Sequence, residues 1–175
     1  MNILVTGGLG FIGSHTAIEL IQGGHAVIIA DNLVNAKIEV LDKIETIVKI
    51  RPAFYEIDVT DKAKLEDIFA AHQIDGVIHF AGLKAVGESV EKPLEYYYNN
   101  LVSTMNLIDM CLKYGVERFV FSSSATVYGN QESPLKEIMT LKKTTNPYGE
   151  TKVMIERILA DVAEAHPEFS VALLR

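Results

Sequence analysis

The sequence has almost no cysteine and no long apolar run. Cys111 is the one cysteine among 175 residues, so no disulfide can form within the chain. This usage fits a reducing compartment, and we expect Cys111 to fill space in the core. No segment is apolar enough to span a bilayer and the N-terminus has no secretory signal pattern, so we predict a cytoplasmic protein without a membrane partner.

Positive charge is also scarce. Sixteen Lys and Arg residues face 23 Asp and Glu residues, which gives a net charge of -7 and no basic cluster. We therefore expect no nucleic-acid partner. The five histidines lack the spacing of metal ligands, so no metal site is predicted, and His79 is expected to be a packed residue at a strand end. The hydrophobic content of 49% and the length suit one globular domain with a sizeable core.

Short β-rich runs alternate with helical stretches along the whole chain. Six strands are predicted, at 3–6, 26–30, 53–57, 76–80, 118–121 and 170–174. Five helices are predicted between them, at 12–22, 36–50, 62–71, 94–114 and 148–165. Several strands are continuously apolar, as strands covered on both faces are, and the alternation implies right-handed crossovers. We therefore predict an α/β fold with a doubly wound parallel sheet, that is, a Rossmann-type domain.

The first predicted strand leads into a glycine-rich loop and then into a helix. Gly8, Gly10 and Gly13 have the spacing G-x-G-x-x-G, and Gly7, Gly10 and Gly13 have the related spacing G-x-x-G-x-x-G. Glycines at these spacings allow a tight turn and the close approach of a pyrophosphate, while the helix N-terminus offers free N–H donors. The pattern predicts a dinucleotide site, although a tight turn without a ligand uses the same residue types.

Asp31 stands at the end of the second predicted strand, eighteen residues after Gly13. A carboxylate at this position accepts hydrogen bonds from an adenine ribose and repels a 2′-phosphate, which predicts NAD rather than NADP. Asp31 also has the right position to cap the next turn together with Asn32, and the sequence leaves both roles open.

Three serines, a tyrosine and a lysine towards the end of the chain form a second candidate group of functional residues. Three serines at 122–124 follow an apolar strand, and the Asn-Pro pair at 146–147 supplies a favourable N-cap and first helical residue. Tyr148 and Lys152 would then lie one turn apart on one helix face, where the ammonium group favours the ionised phenol as a general base. An exposed helix face also contains such a pair, so its role depends on the rest of the chain.

With these features in order on one chain, the sequence resembles the extended short-chain dehydrogenases/reductases and, within them, the UDP-glucose 4-epimerases. The segments that carry the resemblance are 6–15, 31–33, 79–90, 92–97, 99–100, 121–129 and 146–152. The run 77–90 is the most discriminating, because general members of the superfamily share the glycines but not the sequence GLKAVGES at 82–89. The resemblance extends over the whole chain.

The resemblance implies a set of NAD-binding residues at the carboxyl ends of the predicted strands. The pyrophosphate is expected on Gly7, Gly10, Phe11, Ile12 and Gly13. The adenosine half is expected to be surrounded by Asp31, Asn32, Leu33, Val34, Asn35, Ala36, Asp58 and Val59. The rest of NAD is expected on Phe80, Ala81, Gly82, Leu83, Lys84, Asn99, Ser122, Tyr148 and Lys152.

The resemblance also implies a reaction on a UDP-hexose. Ser124 and Tyr148 would contact the sugar hydroxyl at C4, Lys84 would touch the substrate, and Lys152 would hold the nicotinamide ribose. Tyr148, directly or through Ser124, would take the proton of that hydroxyl while tightly bound NAD oxidises C4 and then reduces it on its other face. The implied activity is the interconversion of UDP-glucose and UDP-galactose in galactose metabolism.

Two alternatives stay open. Nucleotide-sugar 4,6-dehydratases, decarboxylases and reductases share this superfamily, but the dehydratases carry an acidic residue soon after the serine run, where this chain has Ala125 and Thr126. The other alternative is an NAD-binding module without turnover. In related enzymes Arg175 leads into a smaller domain that grips the nucleotide-sugar, so we expect residues 1–175 to form only the cofactor domain with the catalytic Ser, Tyr and Lys.

Two further expectations concern surfaces. In related epimerases the helices equivalent to 94–114 and 148–165 pair across a two-fold axis, so the resemblance implies a homodimer. The irregular stretch 129–146 is expected to form a wall over the active site. Its part 131–145 follows the family only loosely, with Ile138 where an acidic residue is common.

Overall fold

A computed structural model describes residues 1–175 and contains one six-stranded parallel sheet. Its strands are β1 (Asn2–Thr6), β2 (Ala26–Asp31), β3 (Ala53–Glu56), β4 (Gly76–His79), β5 (Arg118–Ser122) and β6 (Ser170–Leu174). They lie in the order β3-β2-β1-β4-β5-β6, and every neighbouring pair is parallel. The predicted doubly wound α/β fold is therefore confirmed.

Six α-helices connect the strands. They are α1 (Phe11–Gln22), α2 (Glu39–Val48), α3 (Lys62–Ala71), α4 (Val86–Glu91), α5 (Pro93–Tyr114) and α6 (Pro147–Ala165). None of them combines the length and the apolar character that crossing a bilayer requires.

Alternate residues of the central strands belong to two separate cores. Ile3 and Val5 of β1 pack with residues of α1 and α2, whereas Leu4 packs with residues of α3, α5 and α6. Because successive side chains of a strand point to opposite faces, the two cores lie on opposite faces of the sheet. Burial on both faces explains why the strands are apolar throughout rather than alternating.

Three details differ from the helices predicted from the sequence. The helix predicted at 36–50 is the shorter α2, which ends at Val48 because Lys49 adopts a left-handed conformation with φ 60°. Helix α4 and a 3₁₀ helix at Ala125–Tyr128 were not predicted. Both are too short to show a periodic apolar pattern, since they span six and four residues.

The structure confirms the packing roles predicted for two reactive side chains. Cys111 is fully buried in the larger core. His79 is also buried, and its Nδ1 and Nε2 lie 2.7 Å and 3.0 Å from the hydroxyls of Thr6 and Thr104. Burial lowers the pKa of His79 to about 3, so the ring is neutral and joins β1, β4 and α5.

Candidate active site

A cleft opens where the strand order reverses beside β1. The chain runs outwards from β1 to β3 and then returns to start β4 on the other side of β1, so the loops after β1 and β4 diverge. The cleft at this edge is lined by the ends of β1 to β4, the loops that follow them and one side of α5. This is the place where an open α/β sheet binds its ligand.

Most of the residues predicted to hold NAD meet in this cleft. The predicted residues that line it are Gly7, Gly10, Phe11, Asp31, Asn32, Val34, Asn35, Ala36, Asp58, Val59, Phe80, Ala81, Gly82, Leu83, Lys84 and Asn99. Ile12, Gly13 and Leu33 do not line it, nor do Ser122, Tyr148 and Lys152. Sequence reasoning missed Ala30, Ile57 and Ser103, which complete the lining from apolar strand ends and from α5.

The glycine loop packs so closely against neighbouring backbone that two of its positions accept no side chain. Gly7 has φ +67°, and a Cβ there would lie 2.7 Å from the backbone nitrogen of Ala81. A Cβ on Gly13 would lie 2.2 Å from the carbonyl oxygen of Gly7. Gly10 is the N-cap of α1 and has no side chain to satisfy the helix, whose first turn also lacks an acidic residue. The free N–H groups of this turn therefore fit an anionic ligand such as a dinucleotide.

Asp31 performs the structural role that the sequence left open. Its Oδ1 accepts a hydrogen bond from the backbone N–H of Leu33, and its Oδ2 accepts one from the N–H of Leu9, both at 3.0 Å. The first bond stabilises Leu33 in a left-handed conformation with φ 59°. The carboxylate is only 7% exposed and still lines the cleft, so a contact to a ribose stays compatible with this capping role.

The next loop along the sheet is organised around Asp58. This carboxylate accepts hydrogen bonds from the Asn32 amide at 3.0 Å and from the backbone N–H and hydroxyl of Thr60 at 2.8 Å and 2.6 Å. Partial burial opposes its ionisation, but the hydrogen bonds from Thr60 and Asn32 outweigh burial and lower the pKa of Asp58. The ends of β2 and β3 thus form one rigid side of the cleft.

Helix α6 brings Lys152 beside Tyr148. Asn146 caps the helix by accepting a 2.8 Å hydrogen bond from the N–H of Gly149, as predicted. The Lys152 ammonium lies 5.8 Å from the centre of the Tyr148 ring and donates a 2.8 Å hydrogen bond to the carbonyl of Ser122. Burial lowers the pKa of Lys152 to about 8. Lys152 is buried and Tyr148 is half-buried, so the predicted pair does not lie on an exposed helix face.

Ser124 caps the 3₁₀ helix that lies against the start of α6. Its Oγ accepts hydrogen bonds from the N–H and the hydroxyl of Thr126, at 3.2 Å and 3.0 Å, which leaves its own O–H free to donate to a ligand. A Cβ on Gly149 would lie 3.3 Å from the Thr126 side chain. Gly149 thus lets the serine segment approach α6 immediately after Tyr148.

Asn100 connects the cleft to α6 and was not among the site residues predicted from the sequence. Its Oδ1 accepts from the N–H of Leu83 at 2.8 Å, while its Nδ2 donates to the carbonyl of Leu83 at 3.0 Å and to the hydroxyl of Thr151 at 3.1 Å. Thr151 in turn donates to the carbonyl of Tyr148 at 2.7 Å. An asparagine within a long helix was the only sequence signal for this residue. The signal does not identify the partners of Asn100, because they are distant in sequence.

No three His, Cys, Asp or Glu side chains lie close enough together to hold a metal ion. The structure instead combines a cleft at the carboxyl ends of β1 to β4 with a buried lysine and a serine hydroxyl that is free to donate. The sequence profile of the NAD dependent epimerase/dehydratase family matches residues 3–175. The chain belongs to this family.

Individual members of the family agree with this assignment. The UDP-glucose 4-epimerase of Yersinia enterocolitica is 52% identical over 177 residues, which cover 100% of this chain and 52% of the relative. The crystal structure of the Bifidobacterium longum UDP-glucose 4-epimerase in complex with NAD⁺ and UDP has a TM-score of 0.98 at 50% identity. The alignment covers 100% of this chain and 52% of that one.

A second solved member has a UDP-sugar bound. The UDP-glucose 4-epimerase of Stenotrophomonas maltophila, with bound NAD and formylated UDP-arabinopyranose, has a TM-score of 0.95 at 43% identity, and the alignment covers 100% of this chain and 52% of that one. The chain thus spans about half the length of the family members that it matches. NAD is the cofactor by which the family is named.

Proposed function

We propose that residues 1–175 form the NAD-binding and catalytic domain of a UDP-glucose 4-epimerase. The observation that carries the proposal is the buried Lys152, which lies beside Tyr148 and holds the end of β5 next to a dinucleotide cleft. The support from similarity is that relatives at 52% and 53% identity are UDP-glucose 4-epimerases over the whole of this chain.

The glycine loop, Asp31 and the loop after β4 would hold NAD. The free N–H groups of α1 would bind its pyrophosphate, and the Asp31 carboxylate would face the adenine ribose and exclude a 2′-phosphate. When bound, NAD supplies the acceptor and the donor for the hydrogen at C4 of the sugar. The groups of this chain then have to bind the sugar, orient it and move one proton.

Tyr148 is the proposed general base for the C4 hydroxyl, and Ser124 is its partner. Ser124 would donate its free O–H towards the reacting oxygen, because its own oxygen already accepts two hydrogen bonds from Thr126. The Lys152 ammonium, with a pKa of about 8, is predominantly charged at neutral pH and places a positive charge 5.8 Å from the centre of the Tyr148 ring. Tyr148 would return the proton to the sugar oxygen as C4 is reduced again, so the sugar undergoes no net redox change.

The chain alone is proposed to bind NAD without appreciable turnover. The cleft is built entirely from residues 7–103, while the chain covers 52% of the length of its relatives. Epimerisation also requires groups that grip the nucleotide and sugar, which we place in the other half of such enzymes. Dehydration is disfavoured, because Ala125 and Thr126 follow Ser124 where the dehydratases carry an acidic residue.

A chimera tests the proposal directly. Residues 1–175 replace the matching part of the Bifidobacterium longum epimerase, which is 50% identical. We expect the purified chimera to retain NAD, released on denaturation, and to interconvert UDP-glucose and UDP-galactose, whereas the 175-residue chain retains NAD only. A folded, NAD-loaded chimera without interconversion would refute epimerisation. Turnover by the 175-residue chain at the rate of the chimera would refute the proposal that the chain binds NAD but does not turn over substrate alone.

We also propose that the protein forms a homodimer through α5. Leu94, Tyr98 and Met105 are 82%, 66% and 45% exposed, and together with the half-buried Leu101 they follow the spacing of one helix face. Sedimentation of the chain should show a dimer that Leu94→Glu dissociates, while Ile50→Glu, at another exposed apolar position, leaves it intact. A monomeric wild-type chain would contradict the proposal. The cytoplasmic location stays a prediction from the sequence.

A further inference from the structure

An ion pair with a buried carboxylate lies outside the cleft and outside the proposed catalytic residues. Glu156 of α6 and Arg175 after β6 form a bidentate pair, with Arg175 Nε 3.0 Å from Oε1 and Nη2 2.7 Å from Oε2. The Glu156 side chain is 4% exposed and that of Arg175 is 20% exposed. A carboxylate buried to this degree requires full pairing, and the planar fork of an arginine supplies it.

The pair contacts both ends of the segment that contains Ser124. At one end, the hydroxyl of Ser123 donates a hydrogen bond to Glu156 Oε1. At the other end, Arg175 Nη1 donates to the Tyr128 hydroxyl at 3.3 Å, and the guanidinium carbon lies 5.4 Å from the centre of the Tyr128 ring. Ser124 lies between these two contacts, as the N-cap of the 3₁₀ helix that Tyr128 ends.

Helix α6 provides the common support. Lys152 holds the carbonyl of Ser122, and Glu156, one turn further along the same face, holds the hydroxyl of Ser123. The segment that follows β5 therefore keeps a fixed position relative to the helix that contains Tyr148. No residue of the ion pair lines the cofactor cleft.

We propose that Glu156 and Arg175 are positioning residues that hold the segment 122–128, and so direct the Ser124 hydroxyl towards the reacting sugar hydroxyl. The proposal deepens the proposed epimerase function and rests on it for its kinetic consequence. A purely structural role would instead make the pair a general support of α6 and β6. The two roles differ in where the protein loosens when the pair is broken.

Amide hydrogen exchange on the 175-residue chain separates these roles. In Glu156→Gln we expect the amides of 123–128 to exchange at least tenfold faster, while those of β1 and α1 stay within twofold of wild type and NAD affinity stays within threefold. Ser123→Ala, which removes one hydrogen bond, should give a smaller acceleration at the same place. Arg51→Gln, which breaks the exposed contacts of Arg51 to Asp42 and Glu45, is the control and should change nothing at 123–128.

Two outcomes of the exchange experiment would overturn the proposal. Exchange at 123–128 would stay at the wild-type rate if the pair did not hold the segment, and it would rise equally over the whole sheet if the pair were a general support. If Glu156→Gln does not fold, Ser123→Ala and the double variant Glu156→Met with Arg175→Met take its place, since an apolar pair of similar size preserves packing.

The chimera adds the kinetic test. We expect Glu156→Gln to lower kcat for UDP-glucose at least tenfold while KM changes less than threefold, and the double Met variant to recover thermal stability without recovering kcat. An active Glu156→Gln chimera with wild-type kcat would overturn the positioning role. An inactive wild-type chimera that holds NAD would instead count against the epimerase function, and the exchange result would still decide what the pair holds.

Discussion

The charged side chain of Lys152 is buried. Its side-chain nitrogen has the Ser122 carbonyl as its hydrogen-bond acceptor, at 2.8 Å, and lies 4.5 Å from the centre of the Phe121 ring. One of its three N–H donors is used in this way, and the others are free for a ligand such as a ribose hydroxyl. The cost of this burial appears as the lowered pKa of about 8.

This burial predicts a specific pH dependence of stability. The pKa of Lys152 is about 8 in the folded protein and 10.5 in the unfolded chain, so between these pH values the unfolded chain binds more protons and stability rises with pH. The difference corresponds to about 3 kcal/mol over the whole window. Lys152→Met should remove this rise in NAD-free protein.

Urea unfolding of wild type and Lys152→Met from pH 7 to 10 measures the effect. Other groups titrate equally in both proteins, so the difference between the two curves isolates Lys152. Parallel curves would show that the ammonium is not destabilised in the folded state.

The glycine loop gives a second prediction at the scale of single residues. A Cβ on Gly13 would lie 2.2 Å from the Gly7 carbonyl oxygen, so Gly13→Ala must displace the backbone at the start of α1. We expect NAD affinity to fall at least a hundredfold and stability to fall by about 2 kcal/mol. Calorimetric titration with NAD and urea unfolding measure both.

Gly87 is the matched control for this substitution. It lies in α4, and a Cβ there would meet no atom within 4 Å. Gly87→Ala should therefore keep wild-type NAD affinity and gain up to about 1 kcal/mol from helix propensity. Equal NAD affinity in both variants would show that the close packing at Gly13 does not matter for the site.

At the scale of elements, α6 combines the functions that the site needs. Tyr148, Lys152 and Glu156 recur at every fourth position, so one face of the helix presents the proposed base, its ammonium neighbour and the residue that holds Ser123. The N-cap Asn146 fixes where the helix begins. The start of α6 and the end of β5 are thus connected at several points, and a shift of one displaces the other.

Two helix ends offer a paired prediction about stability. Both α2 and α5 end at a left-handed residue, Lys49 with φ 60° and Gly115 with φ +69°. A Cβ at Gly115 would meet no atom within 4 Å, so only backbone strain opposes a side chain there. Lys49→Gly should raise stability, and Gly115→Ala should lower it, each by about 1 kcal/mol.

Thermal unfolding of the two variants checks this prediction. The melting temperature should rise in Lys49→Gly and fall in Gly115→Ala, because glycine adopts the left-handed region without strain and alanine does not. A destabilised Lys49→Gly would mean that the Lys49 side chain makes a favourable contact that outweighs the strain.

At the scale of the whole molecule, ligand binding should stabilise the isolated chain. NAD binds the folded state only, so at a hundred times Kd it should add about 2.7 kcal/mol, or a Tm increase of roughly 5–10 °C for a domain of this size. NADP should give a much smaller increase, because Asp31 lines the cleft where a 2′-phosphate would lie. Equal increases with both cofactors would contradict the predicted role of Asp31.

The fold was predictable because each strand has a local signal. Runs such as Ile3 to Val5 are apolar on both faces, and the glycine loop and Asp31 mark strand ends, so the sheet and the cleft residues follow from order along the chain. Pairings between distant residues have no such signal. Asn100 reaches Leu83 and Thr151, which lie 17 and 51 residues away, and only the packed structure shows that they meet.

The strand order allows the sheet to form in the order of translation. Strands β2 and β3 extend one side of β1, and β4, β5 and β6 extend the other, so each new strand joins an edge that is still open and none has to enter between two paired strands. The residues that line the cleft are all synthesised by position 103. A nascent chain can thus complete its dinucleotide cleft at the ribosome before Tyr148 and Lys152 have been added.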